Sequence, residues 1–192
     1  MATVGYLLAY ALFLDWASWR DRFLTLAPNA AVLLTWALVY RYLAFGTHGS
    51  GFYIDPLGNP LAFASSVFGH SPLLLLGQWS PIPADVAMLV SQELFHVLWL
   101  VSLGLIVLLV FLFFPLLRKD RVARFWCLGM LLSLLPIAAT SPSNRLLFFV
   151  GLGAMGLLAQ LLSGLVGEGE GLPLSRGWRI PACILGVILV VV

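Results

Sequence analysis

The sequence predicts an all-α protein that spans a membrane, built from about five or six hydrophobic segments with one long extracytoplasmic loop. Three observations carry that prediction. Hydrophobic residues make up 61% of the 192 and charged residues 9%, against roughly 45–50% and 25% in soluble domains. Apolar runs recur along the chain, and one of them, Leu94–Leu117, holds His96 as its sole ionisable group. At about 1.5 Å per residue that run crosses about 30 Å of hydrocarbon with some tilt. Finally, lysine and arginine alternate in density from one connector to the next. Arg20 and Arg22, the four basic residues at 118–124, and Arg176 and Arg179 fall on one side, eight in all, while Arg41 and Arg145 fall on the other. Basic connectors stay in the cytoplasm, so the face carrying Asp55 and Asn144 is expected to be extracytoplasmic, in what is expected to be a bacterial inner membrane.

The chain is read as one membrane domain, 1–192. Residues 2–14 form an apolar run whose positive charges follow it instead of preceding it, unlike a secretory signal; at about 1.5 Å per residue it is short of a full crossing. Segment 27–46 has Pro28 near its start, where helices accept proline, and Arg41 near its far end, placed to reach the headgroups. Thr47 to about Gln92 is the long departure, punctuated by Gly49, Gly51, Pro56, Gly58, Pro60, Pro72, Pro81 and Pro83, and 47–93 is taken as the external loop. Within it, 61–79 is apolar enough for either an interfacial helix with a re-entrant piece or a span; the charge alternation disfavours a span. Segments 94–117, 125–140 (broken or ended near Pro136) and 146–166 follow. A glycine-rich polar connector leads to the short run 181–192. The brevity of 2–14 and 181–192 suggests a piece, or a shortened relative, of a longer membrane protein.

Several features look like chemistry and are better explained by packing. Gly151-x-Gly153-x-x-Gly156 has the spacing of a dinucleotide loop, but that motif requires a preceding strand. Inside an apolar helix, Gly153, Gly156, Ala159 and Ser163 instead share a face that lets another helix approach closely. Cys127 and Cys183 lie in apolar segments without disulfide or metal spacing. Trp79, Trp99, Trp126 and Trp178 read as interfacial belt residues. His48, His70 and His96, with Asp55, Asp85 and Glu93, lie in the outer half but lack any H-x-x-x-H spacing, so no metal and no cofactor is expected. A net charge of +2 without a basic patch interleaved with aromatics argues against nucleic acid. The scarcity of ionisable groups within the spans argues against a transporter.

Two regions retain a binding role. Arg145, beside Asn144, sits where basic residues are otherwise avoided, and a guanidinium there suits a phosphate or carboxylate; anchoring of the turn at the headgroups is the competing reading. The loop Gly46-Thr47-His48-Gly49-Ser50-Gly51-Phe52-Tyr53-Ile54-Asp55-Pro56 combines glycines, aromatics and a carboxylate, as ligand-capping loops do. Arg145, Asn144, Arg41, His48 and Asp55 are therefore the candidate substrate-binding residues, and no catalytic residue is assigned.

The runs YLLAYALFLDWASWRDRFLTLAP, YRYLAFGTHGSGFYIDP and SPSNRLLFFVGLGAMGLLAQLL resemble the middle and later part of uncharacterised bacterial polytopic membrane proteins. Those are similar in layout to lipid-carrier-dependent glycosyltransferases of the C-type fold, such as protein mannosyltransferases. The resemblance implies a polyprenyl-phosphate-linked substrate at the outer face, with Arg145, Arg41 and the 46–60 loop as carrier-binding parts. It implies no catalytic residue here, since such enzymes place acidic residues in a first external loop, and no external loop of this chain holds adjacent carboxylates. Two functions are expected to compete: a fragment or relative of an envelope glycosyltransferase acting on a lipid-linked phosphate donor, and a non-catalytic subunit or scaffold that packs against partner membrane helices through the 151–163 face. Whether the protein is an enzyme stays open. The lipid bilayer is the one partner common to both.

Overall fold

The computed structural model describes residues 2–43, 53–56, 58–166 and 186, with nothing described for the Arg41 side chain. The described chain is helical: α1 (Ala2–Phe13), α2 (Trp19–Tyr42), α3 (Pro60–Trp79), α4 (Gln92–Lys119), α5 (Arg121–Ala138) and α6 (Phe148–Val166), with short 3-10 turns at Ala84–Met88 and Asn144–Leu146. Five of these helices, all but α1, are long and apolar enough to cross a membrane. His48, the 44–52 part of the loop and the run 181–192, save Gly186, lie outside the described residues.

The helix boundaries follow from capping. Ser18 opens α2: its hydroxyl accepts from the Asp21 amide at 3.4 Å and donates to the Asp21 carboxylate at 2.7 Å, which satisfies a free first-turn donor. The helix therefore begins eight residues earlier than the apolar pattern suggests, and Pro28 lies within it rather than near its start. Asp120 terminates α4 and starts α5. Its amide donates to the Leu116 carbonyl, and its carboxylate accepts from the Val122 amide at 2.8 Å. One residue thus turns the chain, and the basic run 121–124, expected to be a connector, forms the first turn of α5.

The largest departure from expectation concerns 47–93. Residues 60–79, taken as part of an external loop, form one continuous helix. Asn59 caps it by accepting from the Ala62 amide at 3.1 Å, Pro60 occupies the first turn, and Leu73, Leu74, Leu75 and Leu76 are buried against the bundle. Gly69-His70-Ser71-Pro72 reads as a break because proline removes the hydrogen bond to the carbonyl four residues back. Here that carbonyl, Phe68, accepts instead from the indole Nε1 of Trp99 on α4, at 3.4 Å. A neighbouring helix supplies the missing donor.

Pairwise contacts set the directions. Along α1 and α5, Gly5 faces Leu132 and Ser133, Tyr6 lies over Gly129, and the Arg121 guanidinium lies over the ring of Trp16, 4.3 Å from its centre; these helices are antiparallel. Gly153 meets Met130 and Gly156 meets Trp126, so α5 and α6 are antiparallel as well. By contrast, Phe68 packs on Trp99 with ring centres 5.4 Å apart, and Trp79 packs on Phe113 at 5.6 Å. Numbering rises in both helices, so α3 and α4 run the same way. Residues 80–91, which include the 3-10 turn Ala84–Met88, therefore lead back from the end of α3 to the start of α4.

The α2 helix has no buried position in its most apolar stretch, yet its N-terminal end is tied. The Arg22 guanidinium donates to the Ala11 and Ala17 carbonyls, at 3.0 and 2.9 Å, beside the N-terminus of α5. Elsewhere, the Ile54 amide donates to the Ala139 carbonyl at 2.9 Å, at the C-terminus of α5. The basic residues Arg22, Arg118, Arg121 and Arg124 thus share one end of the bundle, and Ile54, Asp55 and Ala139 share the other.

The core joins α3, α4, α5 and α6, with Leu74, Leu112, Leu116, Leu134, Leu157 and Leu161 nearly inaccessible. The glycine face of α6 is consumed there. An added Cβ at Gly153 would lie 2.6 Å from both Met130 Cβ and the Tyr6 hydroxyl, and one at Gly156 would enter the Trp126 ring. The face expected to receive a partner helix is filled by α5 and α1 over Gly153 and Gly156, while Ala159 and Ser163 stay exposed. Nor do Trp79, Trp99 and Trp126 stand as free belt residues. Trp79 is buried, Trp126 sits on Gly156 and Trp99 bonds α3; exposed tryptophans are instead found at Trp16 and Trp19.

Candidate functional site

Two irregular segments meet at the C-terminal end of α5: the returning chain 80–91 and the turn 139–147. The Ala84 amide donates to Asn144 Oδ1 at 2.8 Å, and the Asn144 amide donates to Asp85 Oδ2 at 3.0 Å. Each segment satisfies a polar group of the other. Non-helical backbone in a membrane protein requires such pairing, since lipid offers no hydrogen bonds. Gly77 permits the contact, because a Cβ there would lie 2.8 Å from the Ala84 nitrogen and 2.9 Å from Asn144 Oδ1.

This clasp places Asp85 next to Asn144, with Arg145 exposed beside them. The Asn144 amide, then the Ser143 hydroxyl and, more weakly, the Arg145 charge hold the Asp85 carboxyl below the usual aspartate value. Asp85 is therefore an anion that accepts hydrogen bonds and is ill suited to donate a proton. Asn144 is committed to structure, anchoring the turn through Ala84 and Asp85, and Arg145 is exposed on that anchored turn.

A second polar junction closes α5. In a continuing helix the Ala138 carbonyl would accept from residue 142, which is proline and has no amide hydrogen. Ser66 donates to that carbonyl at 2.6 Å, and His70 Nδ1 lies 3.2 Å from it and 3.1 Å from the Ser66 hydroxyl. Because the serine hydrogen points at the carbonyl, His70 fits here with its hydrogen on Nδ1. His70 is thus a packing residue of α3.

Of the expected binding residues, Asn144 and Arg145 share one turn, with Asp85 added by the returning chain. Asp55 lies at the same end, following the Ile54–Ala139 bond, and its backbone carbonyl accepts from Asn59. The neighbouring Tyr53 hydroxyl is pushed up by burial, then by the Asp55 charge and by Tyr40 of α2. Among the described residues no three histidine, cysteine, aspartate or glutamate side chains converge. Asp85, placed in the outer half by sequence but left out of the expected binding residues, is added by the structure; its partner Asn144 is not visible in the linear order. Comparison with family models, curated proteins and solved structures finds no match.

Proposed function

We propose that this integral membrane protein binds a phosphate-bearing, lipid-linked molecule at the end that carries Asp55, Asp85 and Arg145, and that this end faces the extracytoplasmic side of a bacterial inner membrane. The observation that carries the reading is the Asp85–Asn144 clasp, which anchors the turn that exposes Arg145. A guanidinium on an anchored turn is pre-oriented for the paired donors that phosphate accepts. The orientation is supported by the gathering of Arg22, Arg118, Arg121 and Arg124 at the opposite end. A glycosyltransferase-like role on a polyprenyl-phosphate donor is part of this proposal. Within it, ionised Asp85 would orient a hydroxyl, and the group that protonates a leaving oxygen would have to come from elsewhere.

The experiment is retention of a polyprenyl phosphate by the purified protein. Arg145→Ala should weaken it about tenfold, the loss of a charged hydrogen-bonding pair, and Arg176→Ala should leave it unchanged. Equal effects from the two substitutions would remove the case for Arg145.

A second reading, a subunit that docks partner helices, is favoured by the lack of burial along α2 and by the exposure of Ala159 and Ser163. It predicts that the protein co-purifies with another membrane chain whatever stands at position 145.

A further inference from the structure

At the end of the bundle opposite Arg145, the α1–α2 turn and the α4–α5 turn enclose a cleft of about 290 Å³ lined by Asp15, Arg22, Arg121 and Arg124. Two of its arginines are held rigid. Arg22 commits Nε and Nη1 to the Ala17 and Ala11 carbonyls, and Arg124 commits Nε and Nη2 to the Leu117 and Arg118 carbonyls, both at 2.6 Å. The bonds to Ala11, Leu117 and Arg118 cap the last turns of α1 and α4, and the bond to Ala17 holds the α1–α2 turn. Each guanidinium keeps its other Nη without a protein acceptor among the described residues. Arg121 makes no such bond there: its guanidinium lies over Trp16, 4.3 Å from the ring centre, with all its hydrogens available to a ligand. The carboxylate of Asp15 is turned to the Ala17 amide at 2.9 Å and offsets one of the three positive charges. Trp16 and Trp19, 81% and 62% exposed, flank the cleft as aromatic rings do at the headgroup level.

We infer that this cleft binds the phosphodiester headgroup of an anionic phospholipid. Three guanidinium groups converge on one space, and forked donors of that kind match phosphate oxygens. The volume exceeds that of a bare phosphate and leaves room for an attached polar alcohol. Asp15 sets the selectivity: it accepts from a headgroup hydroxyl, which phosphatidylglycerol carries and phosphatidate lacks, so phosphatidylglycerol is preferred. This site is independent of the one proposed at Arg145, having different residues at the other end of the bundle.

The test is native mass spectrometry of the full chain in detergent, titrated separately with phosphatidylglycerol, phosphatidate, phosphatidylcholine and inorganic phosphate. Phosphatidylglycerol should bind most tightly. Arg121→Gln, at an exposed position that caps no helix, should weaken it about tenfold, whereas Arg20→Gln, the same charge change at the same end but outside the cleft, should not. Equal loss from both variants, or equal binding of phosphatidylcholine or phosphatidate, would reduce the effect to diffuse attraction and overturn the site. Displacement of the lipid by an equal concentration of inorganic phosphate would overturn the lipid as its occupant and leave a free anion.

Discussion

The Tyr6 hydroxyl donates to the carbonyl oxygen of Phe149, 143 positions later, at 2.5 Å. That bond passes directly over Gly153, and the Tyr6 ring fills the space that a side chain at Gly129 would occupy. A twelve-residue helix too short to cross a membrane is thereby seated between two that are long enough. The glycines of α5 and α6 make the seat, as small residues do wherever helix backbones approach closely in lipid.

Substituting Gly153 tests the seat. Gly153→Ala would bring a Cβ within 2.6 Å of Met130 Cβ, and overpacking of that kind costs about 1–3 kcal/mol. Gly104→Ala, with nothing within 4 Å of its Cβ position, should gain up to about 1 kcal/mol from helix propensity. Thermal unfolding in detergent should therefore separate the two, with Gly153→Ala falling and Gly104→Ala holding or rising. A Gly153→Ala protein as stable as the parent would refute the packing role.

The Asp85–Asn144 clasp should respond to acid in one direction. The folded state depresses the Asp85 pKa, so the stabilisation is fully present above the unfolded value of about 3.9 and is lost as pH falls through the lower, folded value. Between about pH 5 and 8 the clasp should be constant. Hydrogen exchange at the Asn144 amide, corrected for the intrinsic pH dependence of exchange, should stay slow across that window and accelerate only in stronger acid. Asp85→Asn should accelerate it at every pH. A transition near neutrality would assign the clasp to another group.

The return of residues 80–91 is open to labelling. In a chain with Cys127 and Cys183 replaced, single cysteines at Asp55 and Leu89 should react with an impermeant reagent from one side of the membrane, and a cysteine at Lys119 from the other. Leu89 decides the matter, being 85% exposed. If α3 crosses without return, position 119 labels together with 55 and position 89 labels from the opposite side. Reaction of position 119 from outside intact cells, with 55 silent, would reverse the proposed orientation.

Composition and charge spacing were enough to define a helical membrane protein, because lipid leaves an apolar chain few alternatives to the helix and basic residues resist translocation. The long helix around Leu94–Leu117 and the packing role of Gly153 and Gly156 were legible for the same reason: each is a local matter of length or of residue size. Tertiary structure decided what depends on a distant partner. Pro72 reads as a break until Trp99 offers the Phe68 carbonyl a donor. Asp85 has no visible role until Asn144, 59 positions away, closes onto it. Nor does any run of sequence state that α3 and α4 point the same way. That direction comes from side chains packed between two helices, and linear order carries no record of which faces meet.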